Sequence, residues 1–522
     1  MSGPRRWWLL ATVSLGLVMI VVDNTILYTA LPVLTGDLGA DPSEMLWVVN
    51  AYPLVMAGLL LGAGTLGDRI GYRRMFLWGL VVFGLASLAA AFAPSPAALI
   101  AARALLGVGA AILMPATLSL IRVAFEDERE RGIAIGIWAT TSVVGMALGP
   151  ILGGVLLQHF WWGSVFLINV PVVVLALVAG SVLAPTTAVR RDRHWDLVAS
   201  VLAMTGLVGL VYALKESIRP GGNLLHVAVA AALALLGTLL FVRRQRGQEH
   251  PLLDLALLRD PRLQVGFVAA ALALFATTGA QLVLSQRLQL VDDRTPLGTG
   301  LVVAALALGC LPTGLMGGAL AHRHGIRRMV TSGLLTSAAG TLLLLATSPG
   351  VLPLLPANAG YAWVVPGLLV LGAGMGLTMT AASATIMSSA PAHRAGMAAS
   401  INEVAYKMGT LFGMAVFGSV LGSVYTATVE LPAAAPPGAA AGMDQARALA
   451  ASLPAAPARA LLDAAAAAFD RGYLWTLLIG TALLACGALF TALRLGRTRG
   501  GRTASVSAPP YRPTAAPSDA GR

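Results

Sequence analysis

Four charged residues lie inside long apolar runs, and they carry most of the chemistry available to this chain: Asp23, Arg103, Glu403 and Lys407. An ionised group at the centre of a bilayer costs ~2.5–3.5 kcal/mol or more, so a charge in such a position is a functional candidate by default. Asp23 sits in the middle of its run. Burial disfavours a charged carboxylate, which suits the group to load and release a proton. The alternative for Asp23 is a structural ion pair or a helix-packing hydrogen bond. Arg103 keeps its charge, so it can only tune or release a partner, or else reach toward an interface. Glu403 and Lys407 are four residues apart with the acid first, the favourable order for a pair on one helix. Either they neutralise one another within the membrane, or Glu403 binds a cation or a second proton.

The elements that hold these groups follow from composition. The 522 residues are 57% hydrophobic and 11% charged, with a mean hydropathy of +0.79. Soluble domains are about 25% charged. A soluble, disordered or disulfide-stapled protein is therefore excluded, and a polytopic membrane protein is expected. The apolar runs are long and continuous, without ten-residue alternation, so the spans are helices and not barrel strands. Fourteen can be counted. With an even number, both termini share a side. That side carries 26 Lys+Arg and the other 7, leaving Arg103 and Lys407 within spans. This asymmetry places both ends in the cytoplasm of a plasma (inner) membrane protein. The net charge of +12 is thus a topology signal and not a nucleic-acid footprint. The N-terminal apolar run is too long for a signal peptide and is read as a retained first helix. Cys310 and Cys486 are read as small buried hydrophobes, and His322 and His324 as solvated. No ATP-binding loop or metal-ligand cluster is found.

An internal repeat divides the chain. Gly64, Leu66, Arg69, Gly71, Arg73 and Arg74 recur as Gly318, Leu320, Arg323, Gly325, Arg327 and Arg328 at a constant offset of 254. Both copies join two spans on the basic side, so the halves are parallel repeats. The offset covers eight spans where six would suffice, so two helices are inserted between two six-helix bundles. The expected organisation is a cytoplasmic N-terminus (1–7), an N-terminal bundle (8–184), a two-helix insert with its flanking loops (185–262), a C-terminal bundle (263–495) and a disordered tail (496–522). The C-terminal bundle includes an external loop at 425–472 with a short helix around 458–469. Within the repeated loop, Asp68 could cap a helix or pair with an arginine across the bundle interface, locking one access state.

These motifs resemble the major facilitator superfamily, and more narrowly its fourteen-helix drug:proton antiporter branch. Gly64–Arg74 resembles the superfamily's signature loop. Asp23-Asn24-Thr25-Ile26 through Ala30-Leu31-Pro32 is similar to the branch's first-helix motif. Gly145, Gly149, Pro150, Gly153 and Gly154 match the exporter motif G-x-x-x-G-P-x-x-G-G. Arg103 with Gly107 and Gly109 resembles the fourth-helix motif, with Leu106 where the family usually has Gln. Phe166-Leu-Ile-Asn169-Val-Pro171 and Asn402-Glu403 are also similar.

The resemblance implies an all-α exporter of amphipathic, cationic or antibiotic-like compounds, working by alternating access without covalent chemistry. The proton gradient would supply the energy, with no cofactor. It implies proton coupling by Asp23, Arg103 and Glu403. Alternatives are an exporter of one metabolite or lipid, and a transport-dead sensor. Small substrates, protons and membrane lipid are the expected partners. A monomer is expected, although the sequence does not set the oligomeric state. Asn24, Asn50, Tyr52, Asn169, Gln281, Met375, Met379, Asn402 and Tyr406 are candidate cavity residues, because flexible Met and aromatic walls suit varied apolar ligands. Glycines 145, 149 and 153 form one smooth helix face, and Pro150 permits a bend. That face is expected to pack on the tenth span and seal the outer gap.

Overall fold

The computed structural model describes residues 3–186, 196–218, 222–246, 248, 259–346, 360–389, 395–432 and 435–497. The first five spans are α1 (Gly3–Leu38), α2 (Pro42–Ile70), α3 (Tyr72–Ala91), α4 (Pro96–Ala124) and α5 (Glu128–His159). The sixth is divided into α6 (Ser164–Leu167) and α7 (Asn169–Leu183). The seventh to thirteenth are α8 (Leu197–Ile218), α9 (Leu224–Arg246), α10 (Pro261–Leu290), α11 (Pro296–His324), α12 (Ile326–Leu345), α13 (Val364–Ser388) and α14 (Ala395–Thr428). A short α15 (Met443–Ala450) precedes the fourteenth, α16 (Ala455–Arg497). Among the described residues, thirteen helical spans are long and apolar enough to cross a membrane, and α5 contributes the apolar stretch Val144–His159.

Local chemistry sets the helix ends. Asp41 and Glu44 form a reciprocal capping box at the start of α2, satisfying two backbone donors that a helix leaves open. Ser95 with Pro96 starts α4, and Asp127 accepts from the Glu130 amide at 2.9 Å to start α5. In the repeated loops, one glycine alone separates two helices. Gly71 has φ 87° and ψ 135°, and Gly325 has φ 78° and ψ 148°. A side chain there would be strained, so the repeat is a repeat of backbone conformation as well as of sequence.

Two apolar cores form. One draws almost wholly on residues between Leu9 and Ala184, the other on residues between Ala269 and Ala488. The inserted pair α8/α9 packs through Gly206, Gly209 and Gly237, where an added Cβ would meet the facing backbone. Asp196 caps α8 and pairs with Arg244 of α9 at 2.7 Å. Burial pushes the Asp196 carboxyl up, but hydrogen bonds from Arg244, Ala199 and Gln248 and the Arg244 charge hold it below the usual carboxylate range. The outer face of α9 exposes Leu235, Leu236 and Leu239.

Helix α8 lies along the seam between the bundles. Its Val211 packs with Leu54 of α2 and with Leu411 and Ala415 of α14. At one end, Lys215 donates to the Ser43 carbonyl at 2.9 Å and lies 5.5 Å from the Trp47 ring centre. Ser423 of α14 donates to the Ile218 carbonyl at 2.6 Å.

Two expectations are corrected here. The separate helix around 458–469 is instead the first part of the 43-residue α16, which extends the last span beyond the bundle; a distinct helix, α15, lies upstream and buries Met443, Ala446 and Ala450. Cys486 is exposed on α16, whereas Cys310 is buried as expected. The tail beyond residue 497 lies outside the described residues, as do the side chains of Gly64, Asp68, His322 and His324.

Candidate proton site and gate

Five spans converge on Asp23. It lies on α1 with no exposed surface, and Arg103 of α4 is equally buried. Arg103 Nη1 is 2.6 Å from Asp23 Oδ2. Asn169, the first residue of α7, donates through Nδ2 to Asp23 Oδ1 at 2.8 Å and to Ser87 Oγ of α3 at 3.2 Å. Arg103 Nε donates to the Val48 carbonyl of α2 at 3.2 Å. Its guanidinium lies 4.7 Å from the Tyr52 ring centre and 5.9 Å from that of Phe166.

The local folding explains this placement. Pro171 cannot donate to the Leu167 carbonyl, so the sixth span breaks at Ile168 and presents Asn169 at the start of α7. The aromatic faces of Tyr52 and Phe166 stabilise a cation that is removed from water. Arg103 keeps its proton, which leaves Asp23 as the carboxyl of this cluster. When Asp23 is neutral, Arg103 still has Val48 and two rings. Tyr28 Oη and Arg103 Nη2 have no hydrogen-bond partner among the described residues. Both are polar atoms available to a rearranged site.

Tyr52 and Asn169 were expected in the substrate cavity. The structure places them against Arg103 and Asp23. Ser87 and the Val48 carbonyl were not anticipated. Ser87 and Val48 carry no charge and no unusual spacing to mark them, although the Phe166–Pro171 motif did point to Asn169.

Glu403 and Lys407 are on α14, in the other bundle. Each is enclosed by protein yet retains accessible surface, and each lies within the other's electrostatic field. Their expected direct ion pair is absent among the described residues. Tyr406 donates to the Met379 carbonyl at 3.4 Å, joining α14 to α13. Asn402 is buried, with Oδ1 lacking a partner among the described residues. Asn50 is also buried and donates to the Leu46 carbonyl of its own helix at 2.8 Å. Asn24 is partly exposed beside Asp23. Gln281 is buried on α10. Met375 is 3% exposed and packs within the C-terminal core.

The glycine face of α5 is also corrected. Added Cβ atoms at Gly145, Gly149 and Gly153 would meet Val21, Thr25 and Ile26 of α1, not the tenth span. The neighbouring face makes the contact with α11. A Cβ on Gly154 would lie 2.8 Å from the Leu297 nitrogen, and one on Gly300 would lie 2.6 Å from the Pro150 carbonyl carbon. The reason is geometric: α5 is wedged between α1 and α11, and its small residues serve both. Across the same end, Gln289 of α10 donates to the Thr29 carbonyl of α1 at 3.0 Å. The molecule is therefore closed at the end remote from the Arg-rich loops. Arg73 of the first repeated loop donates to the Ser181 carbonyl of α7 at 2.6 Å, while Arg69 and Arg74 are exposed.

Two parallel six-helix bundles closed at one end around a buried charge site define a membrane transporter. Residues 13–414 and 263–496 match the Major Facilitator Superfamily, and the chain belongs to that superfamily. It is 39% identical over 502 residues to the multidrug efflux pump LfrA of Mycolicibacterium smegmatis, covering 95% of this chain and 97% of that protein. It is 36% identical over 497 residues to the methyl viologen resistance protein SmvA of Salmonella typhimurium, covering 94% and 97%. It is 34% identical to the puromycin resistance protein pur8 of Streptomyces alboniger over 80% and 82%. The fold is similar to that of a bacterial homologue of the lysosomal transporter Spinster in an inward-facing, unoccupied conformation. That match has a TM-score of 0.63 and 16% identity, covering 95% and 99% of the two chains.

Proposed function

We propose that this protein is a proton-coupled exporter of amphipathic cationic or antibiotic-like compounds, working by alternating access. The observation that carries the reading is the fully buried Asp23–Arg103 pair, in a chain whose relatives are named for efflux and resistance. Asp23 is the coupling acid. Its charged form pairs with Arg103, and its neutral form releases that pair. Because a buried ion pair is costly to break one-sidedly, at about 3–5 kcal/mol, protonation changes the packing preference of α1 against α4. Glu403 serves as a second proton or cation site, with Lys407 setting its local field.

The basic end is cytoplasmic, which puts both termini inside a plasma (inner) membrane. The protein then faces inward, with α5/α11 as the outer gate. Asp68 and the arginines of the repeated loop gate the cytoplasmic side. The proton gradient is the energy source, and no cofactor takes part. The protein works as a monomer in membrane lipid.

A susceptibility panel in an efflux-deficient host, paired with a ΔpH-driven dye assay in vesicles, tests the reading. Resistance to several unrelated amphipathic cations, with export abolished by a protonophore, is expected. Resistance to one compound alone would favour a dedicated metabolite exporter, and export indifferent to the protonophore would end the coupling claim.

A further inference from the structure

The amide of Asn169 is the residue in contact with Asp23 that could serve both of its protonation states. It donates to Asp23 Oδ1 at 2.8 Å and to Ser87 Oγ at 3.2 Å, and it is 2% exposed. Arg103 is a donor only, so it cannot accept from the O–H that Asp23 carries when neutral. An asparagine amide carries a donor and an acceptor on one planar group. Turned over, its oxygen accepts from a carboxylic acid. The Ser87 hydroxyl donates or accepts by rotating, so it can follow the turn. A buried acid that gains and loses a proton would otherwise leave an unsatisfied polar group in one of its two states, at a substantial energetic penalty.

We propose that Asn169, backed by Ser87, is a positioning residue for the coupling proton: it holds Asp23 in both protonation states and sets the pH at which the site switches. Asn169 starts α7 immediately after the break at Ile168. The amide is thus carried at a discontinuity of the sixth span, where a small rotation does not have to be passed through a continuous helix. The inference rests on Asp23 being the coupling acid. The charged and titratable groups facing Asp23 are Arg103 from α4 and Tyr52 from α2, with Tyr28 of its own helix within the field of Arg103. Among the described residues, α3 and α7 contribute the neutral Ser87 and Asn169, with no second acid.

The test is ethidium binding and exchange by purified protein in proteoliposomes between pH 5 and pH 9. Protons compete with substrate, so binding falls below a midpoint pH. Asn169→Leu removes the donor to the charged carboxylate and should move that midpoint upward by about one pH unit, the size expected for one hydrogen bond to a charge. Ser87→Ala, a milder change that keeps the fold if Asn169→Leu does not, should move it in the same direction by less. Asn169→Asp places a second acid beside the first and should move it upward further. In an Asp23→Asn background binding should no longer depend on pH, and neither Asn169→Leu nor Ser87→Ala should restore the dependence. A purely structural role would lower binding at all pH values with the midpoint fixed, and that result in Ser87→Ala and Asn169→Asp overturns the inference. If Asp23→Asn itself keeps the pH dependence, the reading of Asp23 fails instead.

Discussion

The outer gate offers a prediction whose size follows from geometry. Gly154 of α5 faces the backbone of α11, where an added Cβ would lie 2.8 Å from the Leu297 nitrogen and 2.9 Å from the Pro296 oxygen. Ordinary contact begins near 3.4 Å, and neither atom belongs to a flexible side chain. Gly154→Ala therefore forces the two helices apart by roughly 0.6 Å or more at the closed end. Overpacking of this kind costs about 1–3 kcal/mol. The strain exists only while the outer gate is shut, so it should move the equilibrium toward outward-open by about 5- to 150-fold. Spin labels at Gln158 and Leu301, both exposed near the outer ends of α5 and α11, would report this in a distance distribution. A new, longer population should appear in Gly154→Ala and also in Gly300→Ala. Gly149→Ala is the contrast. Its Cβ would press on Thr25 and Ile26 of α1, inside one bundle, so it should lower thermal stability without lengthening the distance. An unchanged distribution in folded Gly154→Ala protein would refute the assignment of this contact as the gate.

Other outcomes follow. Arg103→Ala should leave the Asp23 charge uncompensated, so that protons compete with substrate up to a higher pH and the midpoint of binding moves upward; Arg103→Lys should restore it only in part, because an ammonium does not reproduce the guanidinium's Val48 bond and ring stacking together. A dye-binding series across pH checks both. Asp444 of α15 lies outside the membrane, and burial pushes its carboxyl up to about 6, with Arg447 partly opposing. The docked state holds the proton more tightly than a free chain. Docking is therefore firmest below about pH 4 and weakens as pH rises through about 6. Hydrogen-exchange protection at the buried Ala446, taken relative to the intrinsic rate at each pH, should fall over that window and stay level in Asp444→Asn. Lys215→Met removes the hydrogen bonds to Ser43 and should raise labelling of a cysteine at Trp47, measured with a membrane-impermeant maleimide. Glu403→Gln should weaken export of monocations several-fold more than export of neutral dyes, as a comparison of efflux rates would show.

The parts that were legible in the sequence are those dictated by hydropathy and by rare residues. Few charges survive inside the spans, so Asp23 and Arg103 stood out, and the two bundles with an inserted pair followed from the offset of the repeated loop. The partners of Asp23 were less visible. Asn169 and Tyr52 looked like cavity residues because the rotation of one helix against another is decided by packing, which no single helix encodes. The glycine spacing on α5 announced a smooth face, but α5 has two close neighbours, and only the assembled bundle shows that α1 takes Gly149 while α11 takes Gly154. Glu403 and Lys407 had the spacing of an ion pair, yet spacing alone does not choose side-chain rotamers, and no direct ion pair forms between them among the described residues. The start of α16 was misplaced because no proline interrupts Ala458–Tyr473 and its alanines favour helix, so the last span simply continues outward.

The central claim is that Asp23 exchanges the coupling proton. The most direct measurement is ethidium accumulation against its gradient in proteoliposomes under an imposed ΔpH, with downhill exchange recorded in the same preparation. Asp23→Asn should abolish uphill accumulation while downhill exchange continues. Undiminished uphill transport by Asp23→Asn would contradict the account.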